Sequence, residues 1–448
     1  MSDPRAAFIE AAVWHGTLER AAAILAAHPE IASSDIHSAA ILGDDAAVRR
    51  FLELEPGNAT VKGGPRGWDA LTHLCFSKYL RLDRARSAGF MRAARALLDA
   101  GASANTGWYE MNHEPEPEWE SALYGAAGVA RHAGLTRLLL ERGADPNDEE
   151  TPYHAPEGHD NDALQVLVES GKLTEESLGV ILLRKTDWHD YAGIKWLLER
   201  GVDPNRPTRW GKTALHNAVL SDNAIEIIEV LLDHGADPTL IADHPDRWSR
   251  AFSGTSAVAM AARRGRGDVL ELFERRGIAI ELQGVERLIA ACARNDAAGV
   301  RAIAGREPQL VREVLAEGGK LLAEFAGTWN TAGVRHLLDL GVPVTALYEG
   351  DGYFDIAKDS MALHVAAWKG VPPTVTLLIE RGAPIDAKDG KGRTPLALAV
   401  KACVDSYWTH RRTPEAVRAL LAAGASVRGV AVPSGYAEVD ELLRSHAG

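Results

Sequence analysis

The sequence predicts an all-α solenoid, in which short helix pairs stack along the chain and extended finger loops connect one pair to the next. Apolar residues recur at helical spacing in paired segments, as at 214–219 and 227–231. A glycine closes the second segment of most pairs, where a left-handed residue costs least without a Cβ. Each helix is too short to be stable alone, so the pairs must bury their faces against neighbouring pairs.

The closing glycines show that the pairs repeat at a nearly constant interval. Each is followed by alanine, valine or isoleucine, and they are Gly101, Gly143, Gly201, Gly235, Gly277, Gly341, Gly382 and Gly424. The interval from 201 to 235 is 34 residues, and that from 277 to 341 is 64, or two units of 32. Prolines 29, 56 and 308 end units that lack a closing glycine. A period of this size is typical of repeat arrays.

Several units resemble the ankyrin repeat, which has about 33 residues and a Thr-Pro-Leu-His-x-Ala opening. The best match opens at Lys212-Thr-Ala-Leu-His-Asn-Ala and closes at Gly235-Ala-Asp-Pro. Two other units open at Met361 and at Gly392, and in the second of these Ala397 replaces the histidine. The resemblance extends over the chain as about twelve units, with departures at 151–171, 176–201 and 285–310. It implies one ankyrin-repeat array over 1–448, with an N-terminal capping unit at 1–30, central repeats at 31–425 and a C-terminal capping helix at 426–448.

The bulk composition limits the classes of partner. The chain is 46% hydrophobic and 25% charged, as in folded proteins, and its formal charge of −13 disfavours nucleic acid and anionic membranes. Three distant cysteines indicate a reducing compartment. We find neither a secretion signal nor an apolar run long enough for a membrane span, so we predict cytoplasmic localisation. The excess of arginine over lysine, with abundant alanine, favours a bacterial source.

Specific function is expected where the repeat period stretches. The intervals from 101 to 143 and from 235 to 277 are both 42 residues, with the surplus at 105–120 and 239–254. A third surplus lies at 345–360, and all three fall between units, at the finger position. Two further insertions lie at 77–89 and 401–413, and each separates the first helix of its unit from the second.

Aromatic residues concentrate in these stretches and at the finger tips. Tryptophan and tyrosine are enriched where interfaces gain most of their energy. Trp14 and Trp368 each precede a glycine near the end of a first helix, a slot that lines the concave groove in the ankyrin resemblance. We therefore predict that the following residues bind a partner: Trp14, Trp108, Tyr109, Glu114, Glu116, Trp119, Trp210, Trp248, Tyr353, Phe354, Trp368 and Trp408. The alternative is that each ring folds over its own loop and shields nearby helix ends.

Negative charge is equally uneven. The segment 110–162 contains 13 acidic residues and three arginines, a balance of −10. This segment would attract a partner with a basic surface, although a solvated acidic face is the alternative interpretation.

The segment 154–160 has the residue types of a metal site, but its spacing argues against one. Pro156 and Gly158 prevent the helical spacing that would place His154, Glu157 and His159 on one side. In the ankyrin resemblance, His154 belongs to an opening motif and has a structural role. We predict no metal, no cofactor and no catalytic residue.

These observations predict a monomeric, non-enzymatic protein–protein interaction module or scaffold. It would bind another protein through its concave groove and its aromatic and acidic fingers. Two alternatives remain open at this point. One is a stoichiometric inhibitor or immunity-type regulator that inserts the acidic finger into an enzyme's active site. The other is a hydrolase with a metal site in the insertions.

Overall fold

The structure is a computed structural model that describes residues 3–113, 116–242, 254–406 and 412–446. The chain forms two compact units, one of residues 1–217 with 230–236 and the other of 218–229 with 237–448. Each unit is built from stacked helix pairs, so the predicted all-α ankyrin-repeat fold is confirmed. The extent of one array over 1–448 and its capping boundaries stay predictions.

Fifteen helices precede residue 234 in the described part of the chain. They are α1 (Pro4–Ala12), α2 (Leu18–Ala27), α3 (Ile36–Leu42), α4 (Asp45–Leu54), α5 (Ala70–Cys75), α6 (Lys78–Leu82), α7 (Ser87–Asp99), α8 (Ala122–Tyr124), α9 (Ala133–Glu141), α10 (Glu150–His154), α11 (Asp162–Glu169), α12 (Glu175–Asp187), α13 (Tyr191–Leu198), α14 (Ala214–Leu220) and α15 (Ile225–Asp233). A wider helical turn at Gly125–Val129 continues α8.

Twelve further helices follow in the described residues. They are α16 (Ala257–Arg263), α17 (Gly267–Arg275), α18 (Val285–Ala293), α19 (Ala297–Arg306), α20 (Pro308–Ala316), α21 (Gly318–Gly327), α22 (Thr331–Asp339), α23 (Ala362–Trp368), α24 (Pro372–Glu380), α25 (Pro395–Val404), α26 (Glu415–Ala422) and α27 (Ala437–Ser445). Within the first unit, α3 packs on α5 and α4 on α7; within the second, α21 packs on α23, and α23 on α25. First helices thus stack on first helices, as a repeat array requires.

Each of the three insertions at the finger position forms a short antiparallel hairpin. The strand pairs are β1 (Gly107–Glu110) with β2 (Glu118–Ser121), β3 (Ile241–Ala242) with β4 (Thr255–Ser256), and β5 (Leu347–Tyr348) with β6 (Ser360–Met361). The second strand of each pair runs directly into a first helix, so the hairpins are fixed beside the helix openings.

The helix ends follow local chemistry. Gly143 and Gly341 adopt φ of 91° and 103° just after a second helix, which only glycine does at little cost. Aspartate caps many helix starts, as where Asp190 accepts a hydrogen bond from the Gly193 amide at 3.0 Å. These local signals explain why the first and last residues of the helices can be predicted from the sequence.

The turn inside each helix pair contains a left-handed residue, and several of these residues are not glycine. Gly43, Gly265 and Gly370 hold this position in three pairs. In other pairs a residue with a side chain takes the same conformation, with φ between 45° and 64°: Trp14, Arg131, His189, Asp222, Asn295 and Trp329. A bulky residue with positive φ is strained, so tryptophan at this turn requires compensating contacts.

Candidate functional site

Among the described hairpins, that of β1 and β2 has the longest paired strands, and its two faces differ in chemistry. Trp108 pairs with Glu120, Tyr109 with Trp119, and Glu110 with Glu118. Because side chains alternate along a strand, Trp108 and the three glutamates share one face, which we call the inner face. Tyr109 and Trp119 lie on the other face, with ring centroids 5.0 Å apart. Tyr109 is exposed.

The inner face packs against aromatic rings from the first helix pairs. The Trp108 ring lies 4.0 Å from the Trp68 ring, 4.5 Å from Phe76 and 5.3 Å from Trp14, measured between centroids. Trp68 is buried, whereas Trp14 and Trp108 are half-buried. Two residues predicted separately, Trp14 and Trp108, are therefore neighbours in the structure.

Trp14 and Trp368 do not occupy the same slot, although the sequence suggested that they do. Trp368 is the last residue of α23, and Gly370 takes the left-handed turn after it. Trp14 lies beyond α1 and takes the left-handed conformation itself, with φ of 45°. Its backbone amide donates to the Phe76 carbonyl at 2.9 Å, which holds the strained residue in place. The Trp14 ring is thus directed to the aromatic rings around Trp108.

Beside these rings lies a group of carboxyl side chains around one histidine. His154 Nε2 is 2.9 Å from Glu150 Oε2, and His154 Nδ1 is 2.7 Å from Glu157 Oε1. Burial disfavours the charged ring, but the hydrogen bonds to these two carboxylates outweigh it and raise the pKa of His154 to about 9. The Tyr124 ring, 4.9 Å from the His154 ring, links the aromatic group to the acidic group.

Two of the inner-face glutamates, Glu118 and Glu120, interact electrostatically with Glu150, and Glu118 Oε2 also lies 2.9 Å from His113 Nδ1. Burial, the charge of Glu150 and a hydrogen bond with it raise the pKa of Glu118. Burial and the charge of Glu150 raise the pKa of Glu120 to about 8. We call Trp14, Trp108, Glu118, Tyr124, Glu150 and His154 the aromatic–acidic surface. It offers aromatic faces and an excess of negative charge within one unit of the protein.

Trp210 lies further along the same unit. Its ring is 5.7 Å from the Tyr153 ring, and the Arg209 guanidinium lies 4.9 Å from its centroid. Arg209 also pairs with Glu149, so this end carries a cation that balances some acidic charge. Of the acidic finger-tip residues, Glu116 is exposed.

The structure corrects the prediction for two aromatics of the second unit. Phe354 and Trp368 were expected to meet solvent, but they are 4% and 3% exposed. They belong to a core with Tyr348 and Leu398, and the Trp368 indole donates to the Phe354 carbonyl at 2.6 Å. The loop after β5 folds back over the first helices and covers these rings. Tyr353, beside them, is 48% exposed and remains a candidate. The predictions for Glu114, Trp248 and Trp408 lie outside the described residues.

Sequence reasoning missed a buried charge cluster in the second unit. Asp222 accepts from Arg264 Nη2 at 2.7 Å and from Lys369 Nζ at 2.8 Å, across 147 residues of sequence. Burial opposes ionisation of Asp222, but the charges of Arg264 and Lys369 outweigh it and hold its pKa well below the usual range. Burial lowers the pKa of Lys369 to about 8. No local pattern indicates a cluster whose members lie so far apart in the chain.

A small pocket opens on the other side of the hairpin. It has a volume of about 400 Å³ and lies among Asn105, Trp119, Ser121 and Asp148. Ser121 donates a hydrogen bond to Asp148, and burial raises the pKa of Asp148 to about 6. The pocket thus has a polar floor that is already hydrogen-bonded within the protein.

The described residues contain neither a cluster of metal-ligating side chains nor a helix suited to span a membrane. Within them, no group of three histidine, cysteine, aspartate or glutamate side chains is arranged to hold a metal ion. None of the helices in these ranges combines the length and apolar composition that a membrane crossing requires.

The fold defines this as a helical repeat protein, and comparison with known families identifies the type of repeat. Residues 197–244 match the family described as ankyrin repeats (many copies), and residues 360–390 match the ankyrin repeat. The chain therefore contains ankyrin repeats in these two ranges, as its sequence motifs predicted. Ankyrin repeats are generally protein–protein interaction modules.

Known relatives match only parts of the chain. A putative ankyrin repeat protein of Rickettsia bellii is 30% identical over 117 residues, which cover 23% of this chain and 44% of the relative. The cyclin-dependent kinase 4 inhibitor B of Bos taurus is 36% identical over 88 residues, or 18% of this chain and 65% of the relative. The serine/threonine-protein kinase 12 of Arabidopsis thaliana is 38% identical over 84 residues, 19% of this chain and 17% of the relative. The chain thus covers less than two thirds of each relative.

Proposed function

We propose that this protein is a non-enzymatic interaction module that binds a basic segment of another protein at the aromatic–acidic surface of its first unit. One observation carries the proposal: Trp14 and Trp108 lie side by side, half-buried, next to a group of carboxyl side chains. Partly exposed tryptophans supply the apolar area on which interfaces depend, and the carboxylates supply complementarity to arginine or lysine.

The charge distribution supports a basic partner in particular. The segment 110–162 has a balance of −10, and Glu110, Glu118 and Glu120 project from one face of the hairpin. A field of one sign increases the rate of encounter with a partner of the opposite sign. Binding should therefore weaken as salt concentration rises.

A peptide-display selection on the purified protein tests this proposal. We expect the selected peptides to be enriched in arginine and lysine and to contain apolar residues. They should bind Trp14→Ala and Glu118→Gln at least tenfold more weakly than the wild type. Leu347→Ala is the control, because it removes an exposed apolar side chain from the second unit at a position that is not a candidate for binding.

Peptides without basic residues would contradict the proposal. So would equal binding to the wild type and to both first-unit variants. Circular dichroism of each variant excludes loss of fold as the cause of weaker binding.

A stoichiometric enzyme inhibitor is the second candidate function. Two observations favour it: one relative is named as a kinase inhibitor, and the finger carries exposed Tyr109 and Met111 beside its tip. In this case the basic segment would border the active site of an enzyme. Inhibition that saturates at one molecule of this protein per enzyme would support it, and a bound enzyme of unchanged activity would refute it.

Four further properties remain proposals that rest on composition. We propose that the protein is a monomer, is cytoplasmic, and binds neither nucleic acid nor membranes. The formal charge of −13 supports the last two properties. Light scattering coupled to size exclusion tests the oligomeric state.

A further inference from the structure

We propose that Glu120 forms the base of a subsite that receives one guanidinium or ammonium group of the partner, and that binding releases the carboxyl proton of Glu120 to solvent. This inference rests on the proposed function and names the side chain that the aromatic–acidic surface recognises. It also implies that recognition depends on pH.

Glu120 lacks the partners that a buried carboxyl group normally has. Its side chain is 5% exposed, and its Oε2 atom makes no hydrogen bond with any residue in the described ranges. Buried polar atoms in native proteins are nearly always hydrogen-bonded, so an oxygen without a partner calls for an explanation. A cationic donor from a partner would supply the missing hydrogen bond.

The groups around Glu120 come from three elements and are mostly acidic. Glu110 lies on β1, Glu118 on β2, and Glu150 with His154 on α10; each acts electrostatically on Glu120. His154 is the one cation among these four, and it is already held by Glu150 and Glu157. Burial opposes ionisation of both Glu118 and Glu150, and the charge of Glu150 raises the pKa of Glu118 further. The site therefore has a deficit of positive charge.

The chemistry of the surrounding side chains favours an organic cation. Trp108 lies opposite Glu120 on the paired strand, and the Tyr124 ring adjoins His154. Aromatic faces attract guanidinium and ammonium groups, and carboxylates accept their N–H donors. Arginine satisfies both features with one planar group.

The proton balance follows from the ionisation of Glu120. Burial and the charge of Glu150 raise its pKa to about 8, so the carboxyl group is mainly protonated at neutral pH. A bound cation favours the carboxylate, so the O–H bond breaks and the proton passes to the buffer. Affinity should then rise about twentyfold from pH 6.5 to pH 8.5, following the ionised fraction of a group with pKa of about 8.

The test uses two blocked pentapeptides, one with arginine between two glycine pairs and one with neutral citrulline in its place. Calorimetric titrations in phosphate and in Tris, at pH 6.5 and 8.5 and constant ionic strength, measure affinity and proton release. For the wild type we expect the arginine peptide to bind at least tenfold more tightly than the citrulline peptide, with up to one proton released. In Glu120→Gln we expect less proton release and a weaker pH dependence than in the wild type.

Glu116→Gln is the matched control, because it removes an exposed acidic group from the same finger and should retain the pH dependence. Equal binding of the two peptides, or an unchanged pH dependence in Glu120→Gln, would overturn the inference. If display-selected peptides still require Trp14 and Glu118 but bind independently of Glu120 and of pH, this inference fails while the proposed function stands.

Discussion

The buried charge cluster of the second unit predicts a large effect for Asp222→Asn. Asp222 lies in a helix-pair turn with φ of 55°, and asparagine tolerates this left-handed conformation as well as aspartate does. The two side chains have nearly the same size. The substitution therefore removes a negative charge without changing the backbone requirement or leaving a cavity.

The expected cost follows from the groups left behind. Arg264 and Lys369 donate to the Asp222 carboxylate at 2.7 and 2.8 Å, and both side chains are buried. Breaking a buried ion pair by removing one partner costs about 3–5 kcal/mol, because the remaining charge is buried without compensation. For a unit of this size, that loss lowers the melting temperature by about 10 °C.

Thermal and urea unfolding followed by circular dichroism measure this effect. Asp339→Asn is the control, since Asp339 forms an exposed pair with Arg381 at 2.9 Å in the same unit. Exposed pairs contribute about 0–1 kcal/mol, so this variant should unfold like the wild type. A loss below 1 kcal/mol in Asp222→Asn, or equal losses in both variants, would refute the reasoning.

The same variant should alter the dependence of stability on pH. Pairing holds the pKa of Asp222 below its ordinary value of 3.8, so its contribution is present above about pH 4. That contribution is lost as pH falls through the depressed pKa. Asp222→Asn should therefore lose less stability than the wild type on acidification below pH 4.

Four further substitutions test other contacts by urea unfolding. Trp329→Gly should raise stability by about 0.5–1 kcal/mol, since Trp329 is 53% exposed with φ of 64°; a lower stability would show that its ring is needed. Trp108→Ala should lower the free energy of unfolding by about 2 kcal/mol, because it removes the contact with the buried Trp68. Tyr109→Ala should leave stability nearly unchanged, because Tyr109 lies on the other face of the hairpin. Equal effects of the two substitutions would contradict this difference between the faces. Lys185→Met should cost about 3–5 kcal/mol, because Lys185 Nζ lies 2.6 Å from the buried Asp190; a neutral effect would contradict this pairing.

Helix pairs, their glycine stops and the finger positions were predictable because each depends on a few neighbouring residues. Gly143 ends its helix through its own backbone conformation, whatever the helix packs against. The extra residues at 105–120 exceed the repeat length, so they must form a loop that projects from the stacked helices. The opening at Lys212 and the closing Gly235 sufficed to indicate the ankyrin family, which the comparisons confirm over 197–244. Segment chemistry also indicated the acidic character of the finger.

The environment of each side chain depends instead on which distant residues the fold brings near it. Phe354 and Trp368 are aromatic, as are Trp14 and Trp108. A loop that folds back buries Phe354 and Trp368, whereas Trp14 and Trp108 stay partly exposed. The unpartnered oxygen of Glu120 depends on which donors reach it across the stacked repeats. Local periodicity carries no information about such contacts, because packing between repeats assembles them only after the helices have formed.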